Sequence, residues 1–151
     1  MMKDESIPEG QQSLNAKRAV QSGNGKGNRR PNDLLERCEV FGERSVRFAR
    51  KIPVNPVTVK LISQFVASST SIASNYNEAC DAESKKDFRH KNAICKKESR
   101  ETKHWLRMIV AAEPQLRDEA AVLWQESHEL NLIFAAIVLS CDGKRRKPDN
   151  S

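Results

Sequence analysis

Leu116 to Cys141 reads LRDEAAVLWQESHELNLIFAAIVLSC, and this stretch decides the fold. Its residues Leu116, Ala120, Leu123, Ser127, Leu130, Phe134, Ile137 and Cys141 follow one another by alternating steps of four and three. A half-buried strand would repeat every second residue. A step of about 3.5 instead draws a line along one side of an α-helix, the geometry of a bundle seam. Glu113-Pro114 precedes the run and puts a proline where a helix can begin without losing a hydrogen bond.

Three further helices follow on working back toward the N-terminus. Ser84 is a predicted N-cap, with Asp87 three residues on in a box-like arrangement. The helix it opens carries Phe88, Cys95, Leu106 and Ile109 on its buried side and runs to about Ala112. Upstream, Asn55-Pro56 supplies a cap and a first-turn proline. Val57, Val59 and Leu61 alternate as in a strand, but Ile62, Phe65, Val66, Ser69, Ile72, Tyr76 and Ala79 return at helical spacing. Asn32 and Asp33 start the first helix, whose apolar line is Leu34, Cys38, Phe41, Phe48 and Ile52, with Ser45 completing it. Ile52-Pro53 closes it, because the residue before a proline disfavours helix. Helices of this length span roughly 30 Å at about 1.5 Å per residue. Short links force neighbours to run antiparallel, so residues 32–140 are predicted to form an all-α, up-down-up-down four-helix bundle.

The remaining sequence fits one such body. The chain has 151 residues and a mass of 17.1 kDa, the size of a single domain. Residues 1–31 include the unpatterned run Ser22-Gly23-Asn24-Gly25-Lys26-Gly27-Asn28-Arg29-Arg30-Pro31 and are expected to be a disordered basic tail. Residues 141–151, with Lys144-Arg145-Arg146-Lys147, are expected to be a second basic tail. Most of the net charge of +6 lies in these ends, while the middle is nearly neutral. No apolar run approaches the ~18 residues of a membrane span, and Met1 to Pro31 lacks the apolar core of a secretory leader. A cytoplasmic location without membrane partners is expected. Cys38, Cys80, Cys95 and Cys141 form no close pair, so they are expected to be reduced thiols and not zinc ligands.

Chemistry-bearing residues concentrate on the third helix. Projected at roughly 100° per residue, Lys85, Arg89, Lys96, Arg100, Lys103 and Arg107 share one flank, within about 60° of arc. Asp87, Glu98 and Glu101 fall on the opposite flank. Opposite charges three or four residues apart stabilise a helix and like charges cost ~0.2–0.5 kcal/mol per pair, so six clustered cations carry a standing penalty. An anionic partner relieves it, and the phosphates of RNA or DNA are the leading candidate. The alternatives are a solvated face, or pairing with acids on another helix or chain.

Other features point to packing. Glu101-x-x-His104 has the spacing of a di-iron ligand pair, but the matching position before His128 is Gln125, and Glu101 and His104 project away from the apolar side. No metal site or cofactor is expected. Glu98 projects near the buried side between Ile94 and Trp105 and needs a polar partner there, within the helix seam or across a subunit boundary. Trp105 and Trp124 read as packing residues or subunit contacts, and Gly42 as a place where another backbone comes close. No catalytic triad, Cys/His pair or glycine-rich phosphate loop is present, which argues against an enzyme.

Three segments carry a resemblance. Ser71-Ile72-Ala73-Ser74-Asn75-Tyr76-Asn77-Glu78-Ala79, then Ser84-Lys85-Lys86-Asp87-Phe88, then Lys97-Glu98-Ser99-Arg100-Glu101-Thr102-Lys103-His104-Trp105-Leu106 resemble the 23S rRNA intervening-sequence proteins, in order and at the usual separations. The resemblance implies a small bacterial four-helix bundle that assembles as a ring of five and has no catalytic activity. Many such proteins are encoded within insertions in large-subunit rRNA genes. A related branch serves diversity-generating retroelements and binds nucleic acid and reverse transcriptase. By resemblance, Asn75, Glu78, Glu98, Glu101 and Trp105 are packing or assembly residues. The expected function is therefore a non-enzymatic oligomer that binds RNA or DNA through phosphate contacts. The alternative is an oligomeric scaffold that docks a protein partner.

Overall fold

The computed structural model describes residues 33–143, and its regular structure is helical: α1 (Asp33–Ala49), α2 (Thr58–Cys80), α3 (Lys85–Ala112), a 3₁₀ turn (Pro114–Leu116) and α4 (Arg117–Cys141). The N-cap expected at Asn32 and the tails over 1–31 and 144–151 lie outside the described residues. The capping chemistry behaves as its residue types dictate. Asn55 Oδ1 accepts from the backbone N–H groups of Val57 and Thr58, and Thr58 Oγ1 accepts in return from Asn55 N–H, a reciprocal box that starts α2. This cap draws the Val57-Val59-Leu61 stretch into helix despite its alternation. Ser84 Oγ accepts from Asp87 N–H at 3.0 Å and starts α3.

Partner numbers establish the topology. As α2 descends through Glu78, Ile72 and Ser68, its α3 partners ascend through Lys91, Cys95 and Thr102. Arg89, Lys96 and Lys103 of α3 likewise meet Asp142, Asn131 and His128 along α4. Phe48 of α1 meets Phe65 of α2, while Lys51, just beyond α1, reaches Glu119 of α4. Consecutive helices are thus antiparallel, and the first and last close the four-helix bundle.

The core is made of the residues the periodicity selects. Phe41, Phe65, Ile72, Leu106, Ile109, Leu130 and Phe134 are fully buried. The Tyr76 and Phe134 rings meet between α2 and α4 with centroids 5.7 Å apart. The seam is less deeply enclosed at the end of α4. After Phe134, Ile137 packs half-buried against the core as the repeat predicts, Cys141 is half-buried, and Val138 is buried outside the core cluster.

Midway along the bundle the interior narrows to small side chains. Ser45, Ser69, Ser99 and Ser127 are each fully buried. Ser127 Oγ donates to the Ser99 carbonyl at 2.7 Å, and Thr102 Oγ1 lies 3.1 Å from Ser68 Oγ. At Gly42 a β-carbon would sit 3.8 Å from Thr70 Cα and 3.9 Å from the Ser69 carbonyl oxygen, so the α2 backbone does come close.

The four cysteines are free and divide by burial. Burial pushes the thiols of Cys38 and Cys95 up to about 12, with the neighbouring Cys95 adding to the effect on Cys38. Since the thiolate is the reactive form, an alkylating reagent at neutral pH is expected to label exposed Cys80 first, then half-buried Cys141. Cys38 and Cys95 should label only in denaturant, as peptide mass mapping would show.

Candidate nucleic-acid interface

The six cations of α3 receive different surroundings. Arg89, Lys96 and Lys103 recur at seven-residue steps and lie along the α4 seam; Arg100 and Arg107 form a second line beside them. Arg89 forks onto the carboxylate of Asp142, its Nη2 at 3.0 Å, and this pairing raises its pKa. Lys103 turns onto α4: its Nζ lies 3.1 Å from His128 Nδ1 and 5.2 Å from the centre of the Trp124 ring. The Trp124 and His128 rings stack nearly parallel, with centroids 5.2 Å apart. Lys85, Lys96, Arg100 and Arg107 are exposed, and among the described residues none of the four forms an ion pair.

The reason lies in where α4 puts its acids. Glu126 and Glu129 both accept from Arg37 of α1, at 2.6 and 2.7 Å, and Glu119 accepts from Lys51 at 2.8 Å. These carboxylates therefore face the α1 side. Toward α3, α4 presents Trp124, His128 and Asn131, the last donating to the Lys96 carbonyl at 2.8 Å. Trp124, His128 and Asn131 follow at helical spacing one step round from the buried seam. That step is their only trace in the sequence.

The Arg37 pairing has a measurable consequence. Hydrogen bonds from Arg37, then its charge, hold the Glu126 carboxyl below the ordinary carboxylate range, against the opposing effect of burial. A carboxyl with a depressed folded pKa contributes stability above its unfolded pKa of ~4.3 and loses it as pH falls through the folded value. The urea midpoint of the protein should therefore fall below pH ~4.3. A Glu126→Gln variant should show a shallower fall, and an identical one would remove Arg37–Glu126 from the account.

The α2-facing flank of α3 carries the remaining candidates. Lys91 pairs with Glu78, and from Lys91 seven-residue steps lead to Glu98 and Trp105. Glu98 is half-buried on this flank, with no ion pair among the described residues. Glu101 lies 3.9 Å from Lys97. Asn75 Nδ2 donates to the Ser71 carbonyl of its own helix. Trp105 is half-buried, its Nε1 shielded without a hydrogen-bond acceptor and its ring edge-on to His104 at 4.8 Å. Asn75, Glu78, Glu98, Glu101 and Trp105 thus belong to the α2–α3 side, and the cations to the α3–α4 side. Among the described residues no three His, Cys, Asp or Glu side chains gather as a metal site, and no helix is long and apolar enough to cross a membrane.

Comparison with known proteins places this geometry. A family model described as 23S rRNA-intervening sequence protein matches residues 31–136. The chain is also similar to a crystal structure from Bacteroides thetaiotaomicron, of a protein of unknown function from the S23 ribosomal protein family. The two share 28% sequence identity with a TM-score of 0.61, over 70% of this chain and 97% of the other. A search of curated proteins finds no match.

Proposed function

The chain belongs to the 23S rRNA-intervening sequence protein family, and from that premise we propose that it is a non-enzymatic, self-associating bundle that binds RNA or DNA phosphate along the α3 flank. One observation carries this reading: Lys96, Arg100 and Arg107 stand exposed on one side of α3 with no acidic partner among the described residues. Three of the α4 acids, Glu119, Glu126 and Glu129, are engaged by Lys51 and Arg37 on the α1 side. A row of unpaired cations attracts a polyanion by releasing its condensed counterions, so affinity must fall steeply with salt. The proposal includes a cytoplasmic location, the compartment in which widely spaced cysteines stay reduced.

Self-association is supported by α4. Leu132 and Leu139 are 56% and 40% exposed and lie seven residues apart, an apolar line on its outer side. The ring of five implied by the family resemblance would cover such a line. Light scattering on the purified chain should return a multiple of 17.1 kDa. A monomer would refute the oligomer.

Binding is tested by the affinity for mixed-sequence RNA across a salt series. Log affinity should decline linearly with log salt, with no catalytic turnover of the RNA; undetectable binding at low salt, or affinity indifferent to salt, would end the proposal. The competing reading is a scaffold in which the α3 cations pair with acids of a neighbouring copy. In that case reversing Arg100 and Arg107 breaks the assembly on a sizing column, whereas a nucleic-acid flank leaves it whole.

A further inference from the structure

We infer that Trp124 is a stacking platform for an unpaired base, so that the α3–α4 flank takes single-stranded nucleic acid in preference to duplex. The inference rests on the phosphate-binding reading and adds to it the class of strand. Trp124 is 39% exposed on the same seam as the cation rows, whereas the other indole, Trp105, is half-buried on the α2 side.

The indole is held in place before any ligand arrives. His128 stacks on it at an interplanar angle of 14°, and the Lys103 ammonium bridges the two rings, 5.2 Å from the indole centre and 3.1 Å from His128 Nδ1. A side chain already ordered loses little freedom on binding, so more of the stacking energy appears as affinity. Lys103 is thereby occupied as a brace for the ring, leaving Arg100 and Arg107, one turn to either side of it, to meet phosphates. An aromatic face flanked by cations is the arrangement that binds single strands, because every base has a π face and a splayed strand exposes it. In a duplex those faces are closed by neighbouring bases, and only the phosphates remain available.

Charge also favours this occupant over a second copy of the chain. The neighbours of Trp124 across the seam are cationic, which attracts a polyanion and repels a second copy of a chain whose net charge is +6. Leu132 and Leu139 follow about one and three turns beyond His128 on the same side of α4, so the oligomeric state of Trp124→Ala is what distinguishes a second copy.

The test uses the full chain and a fluorescein-labelled mixed-sequence RNA, alone and annealed to its complement. The intact protein should bind the single strand more tightly. Trp124→Ala should weaken single-strand binding between about 5-fold and 150-fold, the worth of one stacked base, while leaving duplex affinity and the salt slope unchanged. Trp124→Phe should retain most of the affinity. The chain has two tryptophans, so in Trp105→Phe the sole indole is Trp124, and its emission should be quenched by the single strand but not by the duplex. Unchanged affinity in Trp124→Ala, or equal binding of both forms by the intact protein, would overturn the inference while the phosphate reading stands. A loss of oligomer in Trp124→Ala with affinity intact would overturn it in favour of a contact between copies. If the intact protein binds neither RNA, the phosphate reading itself falls.

Discussion

Replacing Phe134 by alanine should lower the unfolding free energy by about 3–5 kcal/mol, read as a shift of the urea midpoint at constant slope. The ring is fully buried at the centre of α4 and meets Tyr76 of the opposite helix at 5.7 Å. Truncation removes apolar area and leaves a void that the surrounding helices fill only in part. Ile137→Ala makes the informative comparison. Strict continuation of the seven-residue repeat would make Ile137 as costly as Phe134, but the residue is half-buried, so its loss should be clearly smaller. Equal losses would mean that Ile137 is enclosed as completely as Phe134.

The second large effect is on binding. Arg100→Glu combined with Arg107→Glu should reduce the magnitude of the log affinity against log salt slope by about two, one for each phosphate contact removed. Relative to about 1 M salt, a slope change of two amounts to roughly 100-fold in affinity at about 0.1 M. Both side chains are exposed and unpaired among the described residues, so helicity and assembly should persist. These two positions are preferable to Lys103 or Arg89. Reversing Lys103 would disturb the Trp124–His128 stack, and reversing Arg89 would set a carboxylate against that of Asp142, so either change mixes structural damage with lost charge. An unaltered salt slope in the double variant would move the phosphate contacts elsewhere.

Much of the fold was legible because helix periodicity is local. The Ser84 cap, the Asn55 cap and the buried line from Ala120 to Phe134 need only neighbours within a few turns. The depth of burial after Phe134 was not legible, because whether Ile137 is half or fully enclosed depends on how the other helices close over the end of α4. The α3 cation flank was also legible, being a property of one helix. Its division into engaged and unengaged groups was not. Arg89 is taken by Asp142, 53 residues away, and Lys103 by residues of α4, pairings that only the packed bundle brings about. Trp124 was read as packing for the same reason: its place at the rim depends on how far α4 is rolled about its axis.

The weakest edge of the bundle is the one that closes it. Between α3 and α4, the hydroxyl of Ser127 and the amide of Asn131 anchor directly on main-chain carbonyls, so these two helices are keyed as a hairpin. Along α1 and α4, the polar links are side-chain ion pairs from Arg37 and Lys51, which acid or concentrated salt weakens. Thermal opening should therefore begin with α1 swinging away, and amide protons of α1 should exchange with solvent ahead of those in the hairpin. The hairpin carries both the free arginines and the indole, so the proposed binding surface would outlast the first breach of the fold.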